Sequence, residues 1–293
     1  MAAASCGKTE AEAPLRPLQE GEIAFGAGGF NAQILTRSVN ETTISTLEEE
    51  GFAVTALYSG SGASLFTSTA AMDEGYFRPQ GGPYFYPEEG TLDFHACYPP
   101  SQSLDIQDDG EVLLHCTASS DADIAVASKY GTARQKGAVQ LDFSHILCQS
   151  RILCRGRNPD IVYFLKEIKV LTPSQGTYSL TNEAWSDNEE MTTVQRFSNA
   201  AGMQINSLPD EGTPAADWAS QIPGEMTLDI VWDCRTSEGG YVIDSYERYL
   251  TLQTEPGKKV IYTLTLGEDV SEIKISTKVT EWETEDISET VTF

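Results

Sequence analysis

From residue 52 onward, apolar and polar side chains alternate with a period of two, the spacing of strands that bury one face. Leu92, Phe94, Ala96 and Tyr98 share one face, which leaves Asp93 and His95 on the opposite, wetter one. Val139, Leu141 and Phe143 repeat the pattern and put His145 on the apolar side. A histidine there needs partners for its ring nitrogens and reads as a hydrogen-bonded core residue rather than a ligand. Ile161 to Leu171 forms an apolar strand in which Leu165 and Ile168 break strict alternation, predicting a bulge at Lys166–Glu167. Met226, Leu228, Ile230, Trp232 and Cys234 line one face of a later strand. Val260, Tyr262, Leu264 and Leu266 do so after a Pro256–Gly257 turn, and Ile273, Ile275, Thr277 and Val279 after Gly267–Asp269. Short strands separated by Gly, Pro, Asp and Ser turns predict packed antiparallel sheets and an all-β fold.

The earlier chain is less regular. Glu22–Gly26 is the first strand candidate and is followed by a glycine-rich joint, Gly26–Gly29, without the strand–helix context of a dinucleotide loop. Tyr84–Pro87 reads as an edge strand closed by proline. Helical stripes are short, around Ser45–Glu50 and Pro214–Ser220. Charge, Asn and Pro at Gly156–Asp160 mark a linker. The predicted organisation is therefore a flexible tether over 1–20, an N-terminal β-sandwich over 21–158 and a C-terminal one over 159–293.

Composition narrows the function. Forty-four acidic residues against nineteen Lys plus Arg give a formal net charge of -25. Such a field repels phosphate backbones and excludes nucleic acid as a partner. Small residues directly before Cys6, and a polar stretch after it, look like the end of a bacterial lipoprotein signal, with Cys6 as the acylated residue. The other cysteines, Cys97, Cys116, Cys148, Cys154 and Cys234, have neither redox nor zinc spacing and are expected as small buried hydrophobes, with one disulfide among them as the alternative. No nucleophile–base set or phosphate-cradling loop stands out, so the chain is not read as an enzyme. Oxygen ligands cluster over Asp105–Gly110 without EF-hand spacing and read as an acidic turn, so neither metal nor cofactor is expected. The rival class is a non-polymerising surface lipoprotein that binds carbohydrate, through Tyr76 and Tyr84 among exposed aromatics.

Several pieces, in order, resemble the fimbrillin family of the Bacteroidales, the FimA-like or Mfa-like pilus subunits and related surface lipoproteins. They are the Cys6 start, Leu35–Arg37, Phe85–Pro87, Leu92–Pro99, Asp123–Ala127, Leu141–Leu147, and Tyr262–Leu264 with Trp282. The resemblance implies two tandem antiparallel β-sandwich domains of transthyretin-like topology. It also implies export as an outer-membrane lipoprotein precursor, then a place on the cell surface in a fimbria that supports adhesion. Carried onto this sequence, it places a protease cut after Arg37, which would release the strand holding Ile23, Ala24 and Phe25. The vacancy would take a strand from another pilin subunit, self or accessory. Ile287, Val291 and Phe293, at two-residue multiples with Glu289 interrupting, are the candidate donor residues.

Overall fold

The computed structural model describes residues 16–28, 43–117, 119, 123–186, 190–205, 212–236, 240–267, 273–281 and 286–291. Over these residues the chain is nearly all β. The strands are β1 (Phe25–Gly28), β2 (Phe52–Tyr58), β3 (Ser64–Asp73), β4 (Tyr76–Pro79), β5 (Thr91–Tyr98), β6 (Leu104–Ile106) and β7 (Val112–Thr117). They continue as β8 (Ala125–Ala133), β9 (Val139–Asp142), β10 (Ser144–His145), β11 (Cys148–Gly156), β12 (Ile161–Pro173), β13 (Gln175–Ser179) and β14 (Ala184–Trp185). The last are β15 (Met191–Ile205), β16 (Thr213–Gln221), β17 (Gly224–Thr236), β18 (Val242–Thr254), β19 (Lys258–Leu266), β20 (Ile273–Glu281) and β21 (Asp286–Val291).

A single short helix, α1 (Ile44–Glu50), precedes β2 among the described residues. Thr43 caps it: the Thr46 amide donates to Thr43 Oγ1 at 3.3 Å, and the Thr43 amide donates to Thr46 Oγ1 at 3.2 Å. Gly51 ends it at φ 77°, where a Cβ would collide with the Ala70 carbonyl oxygen. Only Leu47 is buried, so the helix is a plug under the sheet rather than a layer.

The first half is built on an eight-stranded sheet of order β10-β8-β5-β2-β3-β4-β1-β9. β9 and β10 are separated only by Phe143, so the two margins of the sheet are successive pieces of one chain segment and the sheet curls around its own core. The inward alternates fill that core: Phe52, Val54 and Ala56 from β2, Leu92, Phe94 and Ala96 from β5, Val139 and Leu141 from β9. The outward alternates are buried too. Ala53, Leu57, Cys97 and Val126 pack against Leu114, Cys116 and Tyr178 of a four-stranded sheet, β14-β13-β7-β6.

This second layer corrects the reading of His95. Alternation places it opposite Phe94 correctly, but that face is covered, and His95 is only 2% exposed. Its Nδ1 lies 3.0 Å from Ser128 Oγ and its ring 5.4 Å from that of Tyr130, while burial lowers its pKa from the ordinary histidine value. His145 is the core residue its side of the strand implies, with Nδ1 2.8 Å from Asp123 Oδ1.

In the second half, sheets β16-β11-β19-β20-β21 and β15-β12-β17-β18 face each other across one core. The alternates from Met226 to Cys234 and from Val260 to Leu266 all lie in it. The ladder of β12 slips between Leu165 and Glu167 on both its neighbours, which is the bulge expected there. The Tyr163 hydroxyl donates to the Gly267 carbonyl at 2.9 Å and so ties β12 to the end of β19.

Four further expectations are corrected. Pro214–Ser220 is not helical but lies within β16, paired with β11; its buried residues Ala215, Ala216 and Ala219 have a helix-like spacing because the ladder to β11 shifts register between Ala216 and Ala219. Tyr84–Pro87 is not a strand, since only Phe85 forms an isolated bridge, to Glu22. Two pairs are parallel rather than antiparallel, β1 with β9 and β11 with β19. Finally, β11 already belongs to the second-half sheets, so Gly156–Asp160 is a connection within that half, and the chain crosses between halves at Ile146–Leu147. The β13–β14 hairpin then returns to pair with β7.

Cys97, Cys116, Cys148, Cys154 and Cys234 are all buried, as small hydrophobes are. Burial pushes the thiols of Cys97, Cys116 and Cys154 up to about 12 and those of Cys148 and Cys234 up to about 11. The thiolate is the reacting form, so an alkylating reagent at pH 8 is expected to leave all five unmodified in the folded protein and to label all five in denaturant, as read by mass spectrometry. Rapid native labelling of any of them would show that its layer opens.

Candidate functional site

The residues singled out as a releasable strand occupy one continuous site. Ile23, Ala24 and Phe25 are 1%, 0% and 0% exposed. The strand itself begins later than the sequence suggests, at Phe25, and runs through the first glycines of the joint to Gly28. Glycine suits this stretch because the Gln140 side chain lies where a Cβ on Gly26 would project.

β1 lies between β4 and β9, and its two sides are held very differently. Toward β9 it makes four parallel register pairs, from Phe25↔Val139 to Gly28↔Asp142. Toward β4 it makes one, Phe25↔Phe77. Upstream, the Ile23 amide donates to Tyr84 O at 2.8 Å, the Tyr86 amide to Gly21 O at 2.9 Å and the Val139 amide to Ala24 O at 2.8 Å. Each of these groups would be orphaned if the segment left. The Phe25 ring sits edge-on to Phe94 at 5.4 Å and to Phe52 at 6.0 Å, so departure would also open an aromatic-lined hole.

A buried charge pair fixes the same segment. Glu22, 3% exposed, forms a short ion pair through Oε1 with the Arg78 guanidinium, which is 9% exposed. Arg78 also lies 3.2 Å from Asp73 and donates to the Arg16 carbonyl at 3.1 Å, while Arg16 reaches Glu22 at 3.4 Å. The Gln19 amide satisfies Glu22 Oε2 at 2.8 Å. Sequence reasoning missed this pair, whose members are 56 positions apart and carry no local signature. The only available hint is an acidic residue immediately before an apolar strand.

The other sequence candidates lie elsewhere. Cys6, Arg37 and Phe293 are outside the described residues. Ile287 and Val291 lie in β21, opposite Val279 and Ile275 of β20, at the edge of a second-half sheet and not beside β1. Of the aromatics considered for sugar stacking, Tyr84 already stacks on Phe66 at 4.4 Å, and Tyr76 is half-buried with the Arg78 guanidinium 5.8 Å from its ring. Asp105–Gly110 covers the end of β6 and the turn into β7, which is closed by the Gln107 amide donating to Glu111 O at 2.8 Å. Among the described residues, no group of three or more His, Cys, Asp or Glu could hold a metal ion. An open cleft lined by Asp93, His95, Glu111, Tyr130 and Asn182 gathers polar groups that serve one another. Asp93 accepts from Ser59 Oγ and Gly131 N, and Glu111 accepts from Ser179 Oγ and Asn182 Nδ2.

Comparison with solved structures finds the same fold at low identity. A fimbrial protein from Bacteroides vulgatus superposes with a TM-score of 0.64 at 17% identity, covering 82% of this chain and 96% of that one. Two proteins provisionally assigned to cell adhesion also superpose. The one from Parabacteroides distasonis gives 0.54 at 9% identity, covering 90% and 97% of the two chains. The one from Bacteroides ovatus gives 0.51 at 16% identity, covering 93% and 99%. Comparison with curated proteins gives no match. The model of a family described as fimbrillin-like matches residues 36–282, through both halves of the molecule, and the chain belongs to that fimbrillin-like family.

Proposed function

We propose that this chain is a non-enzymatic structural subunit of a cell-surface pilus, joined to its neighbours by strand exchange. Membership of the fimbrillin-like family makes it a pilus- or adhesion-related surface protein. The proposal goes further. The chain is exported as a lipoprotein anchored at Cys6 and is cut after Arg37. It then surrenders the segment that contains Ile23, Ala24 and Phe25, and a neighbouring subunit's strand fills the gap. Residues 286–293, with Ile287, Val291 and Phe293, serve in turn as its own donor. Two domains share the work, the first half accepting and the second donating.

The observation that carries this reading is the asymmetric hold on β1. The segment is fully buried at Ile23, Ala24 and Phe25, yet β1 pairs with β4 at a single register position. A strand that completes a hydrophobic core through few ladder bonds on one side can be replaced by another with the same side-chain pattern. Such a head-to-tail contact repeats into a fibre rather than closing a ring.

The test is limited digestion with an arginine-specific protease, followed by mass analysis and strand exchange. The first cut is expected after Arg37. An isotope-labelled peptide of residues 16–37 is then expected to enter the cut chain and not the uncut one. An intact Arg37 after other arginines have been cleaved, or equal exclusion of the peptide from cut and uncut chains, would refute the proposal.

A further inference from the structure

We infer that the groove left by the first strand selects its occupant by charge: the strand that refills it comes from a different subunit and carries a carboxylate to Arg78. This inference rests on the strand-release reading above and adds the identity of the partner.

Four consecutive positions define what the groove accepts. At position 22 a carboxylate meets Arg78, which is buried at 9% exposure. Positions 23 and 25 point into the core, and position 25 takes an aromatic ring between Phe52 and Phe94. Position 24 is a fully buried alanine and leaves no room for bulk. When Glu22 departs, the guanidinium keeps Asp73 but loses its buried partner and the Arg16 carbonyl. A buried cation stripped of one partner is strongly destabilising, so an occupant that restores the carboxylate is favoured over one that does not. An occupant running in the sense of β1 keeps both the parallel ladder to β9 and the antiparallel pair to β4.

The chain's own donor segment fails this pattern in each of the four registers of that sense that seat Ile287 or Val291 at position 23 or 25. With Ile287 at position 23, Asp286 reaches Arg78, but Glu289 falls into the aromatic hole of Phe25. With Val291 and Phe293 at positions 23 and 25, the core is filled, but Thr290 faces Arg78. With Ile287 or Val291 at position 25, Glu285 or Glu289 respectively occupies the buried position of Ile23. Burying an unpaired carboxylate is strongly unfavourable, and so is leaving Arg78 unanswered. The acceptor groove and the donor segment of this chain therefore do not fit each other, and the fitting strand reads acid, apolar, small, aromatic.

Peptide competition on the chain cut after Arg37 tests this, using displacement of the labelled first-strand fragment. The peptide of residues 20–28 is expected to displace it. The same peptide with Glu22→Gln is expected to be at least tenfold weaker, and so is the peptide of residues 284–293. Placing Thr290→Glu in the 284–293 peptide is expected to recover at least tenfold, a gain that needs no variant protein to fold. In the Arg78→Met chain, the wild-type and Glu22→Gln peptides should converge to within twofold. Equal displacement by the 20–28 peptide and its Glu22→Gln form, or by 20–28 and 284–293, overturns the selection by charge alone. No displacement by the 20–28 peptide overturns strand release itself, and this inference with it.

Discussion

Replacing Arg78 by methionine in the uncut chain is expected to lower the unfolding free energy by about 3–5 kcal/mol, the usual cost of leaving one member of a buried ion pair alone. Glu22 is 3% exposed, and its Oε1 would keep only the more exposed Arg16 at 3.4 Å. The double substitution Glu22→Leu with Arg78→Met should recover most of the loss, because removing both charges ends the desolvation penalty and the aliphatic stems remain. Equilibrium urea unfolding, read by alkylation of Cys97 and Cys116, reports this half of the molecule. A loss below about 1 kcal/mol would mean that water reaches the pair and that it behaves as a surface one.

Trp232→Ala is expected to cost about 3–5 kcal/mol in the other half, as truncation of a buried aromatic does. Trp232 is fully buried in the centre of β17, beside Leu165 of β12 and stacked on Tyr246 of β18. No single neighbour can collapse into the space its indole leaves. Trp232→Phe should retain most of the stability, since it keeps a ring against Tyr246. Alkylation of Cys148, Cys154 and Cys234 during urea unfolding measures the effect. If the halves unfold separately, each substitution shifts only the cysteines of its own half. A common shift of all five would instead make the molecule one cooperative unit.

How much of this was legible depended on whether a signal was local. The core faces of β17 and β19 could be read residue by residue, because strict alternation over many positions has only one interpretation. The bulge in β12 was visible for the same reason, as a break in a long regular run. His95 was misjudged because alternation tells two faces apart but does not say how many are covered. Both faces of β5 are covered, one by the curled sheet's own core and one by the β7–β13 layer. The buried alanines of β16 have a helix-like spacing because its ladder to β11 shifts register between Ala216 and Ala219. The crossing between halves was misplaced because turn residues at Gly156–Asp160 signal a turn, whether or not the sheet changes there. Of the candidate site, the sequence supplied the residues of the strand and not the lock that holds it. Glu22 and Arg78 meet only through the tertiary arrangement of β1 beside β4.

The return of the β13–β14 hairpin to the first half has a mechanical consequence for any load that draws the two halves apart. Residues 175–179 lie against 113–117 in five antiparallel register pairs, and the Trp185 indole donates to the Ile146 carbonyl at 3.0 Å. A force drawing the halves apart therefore does not fall on the Ile146–Leu147 crossing alone. It must first strip this hairpin away from β7, so the chain carries its own clasp across the joint where a simple tandem array would have only a tether.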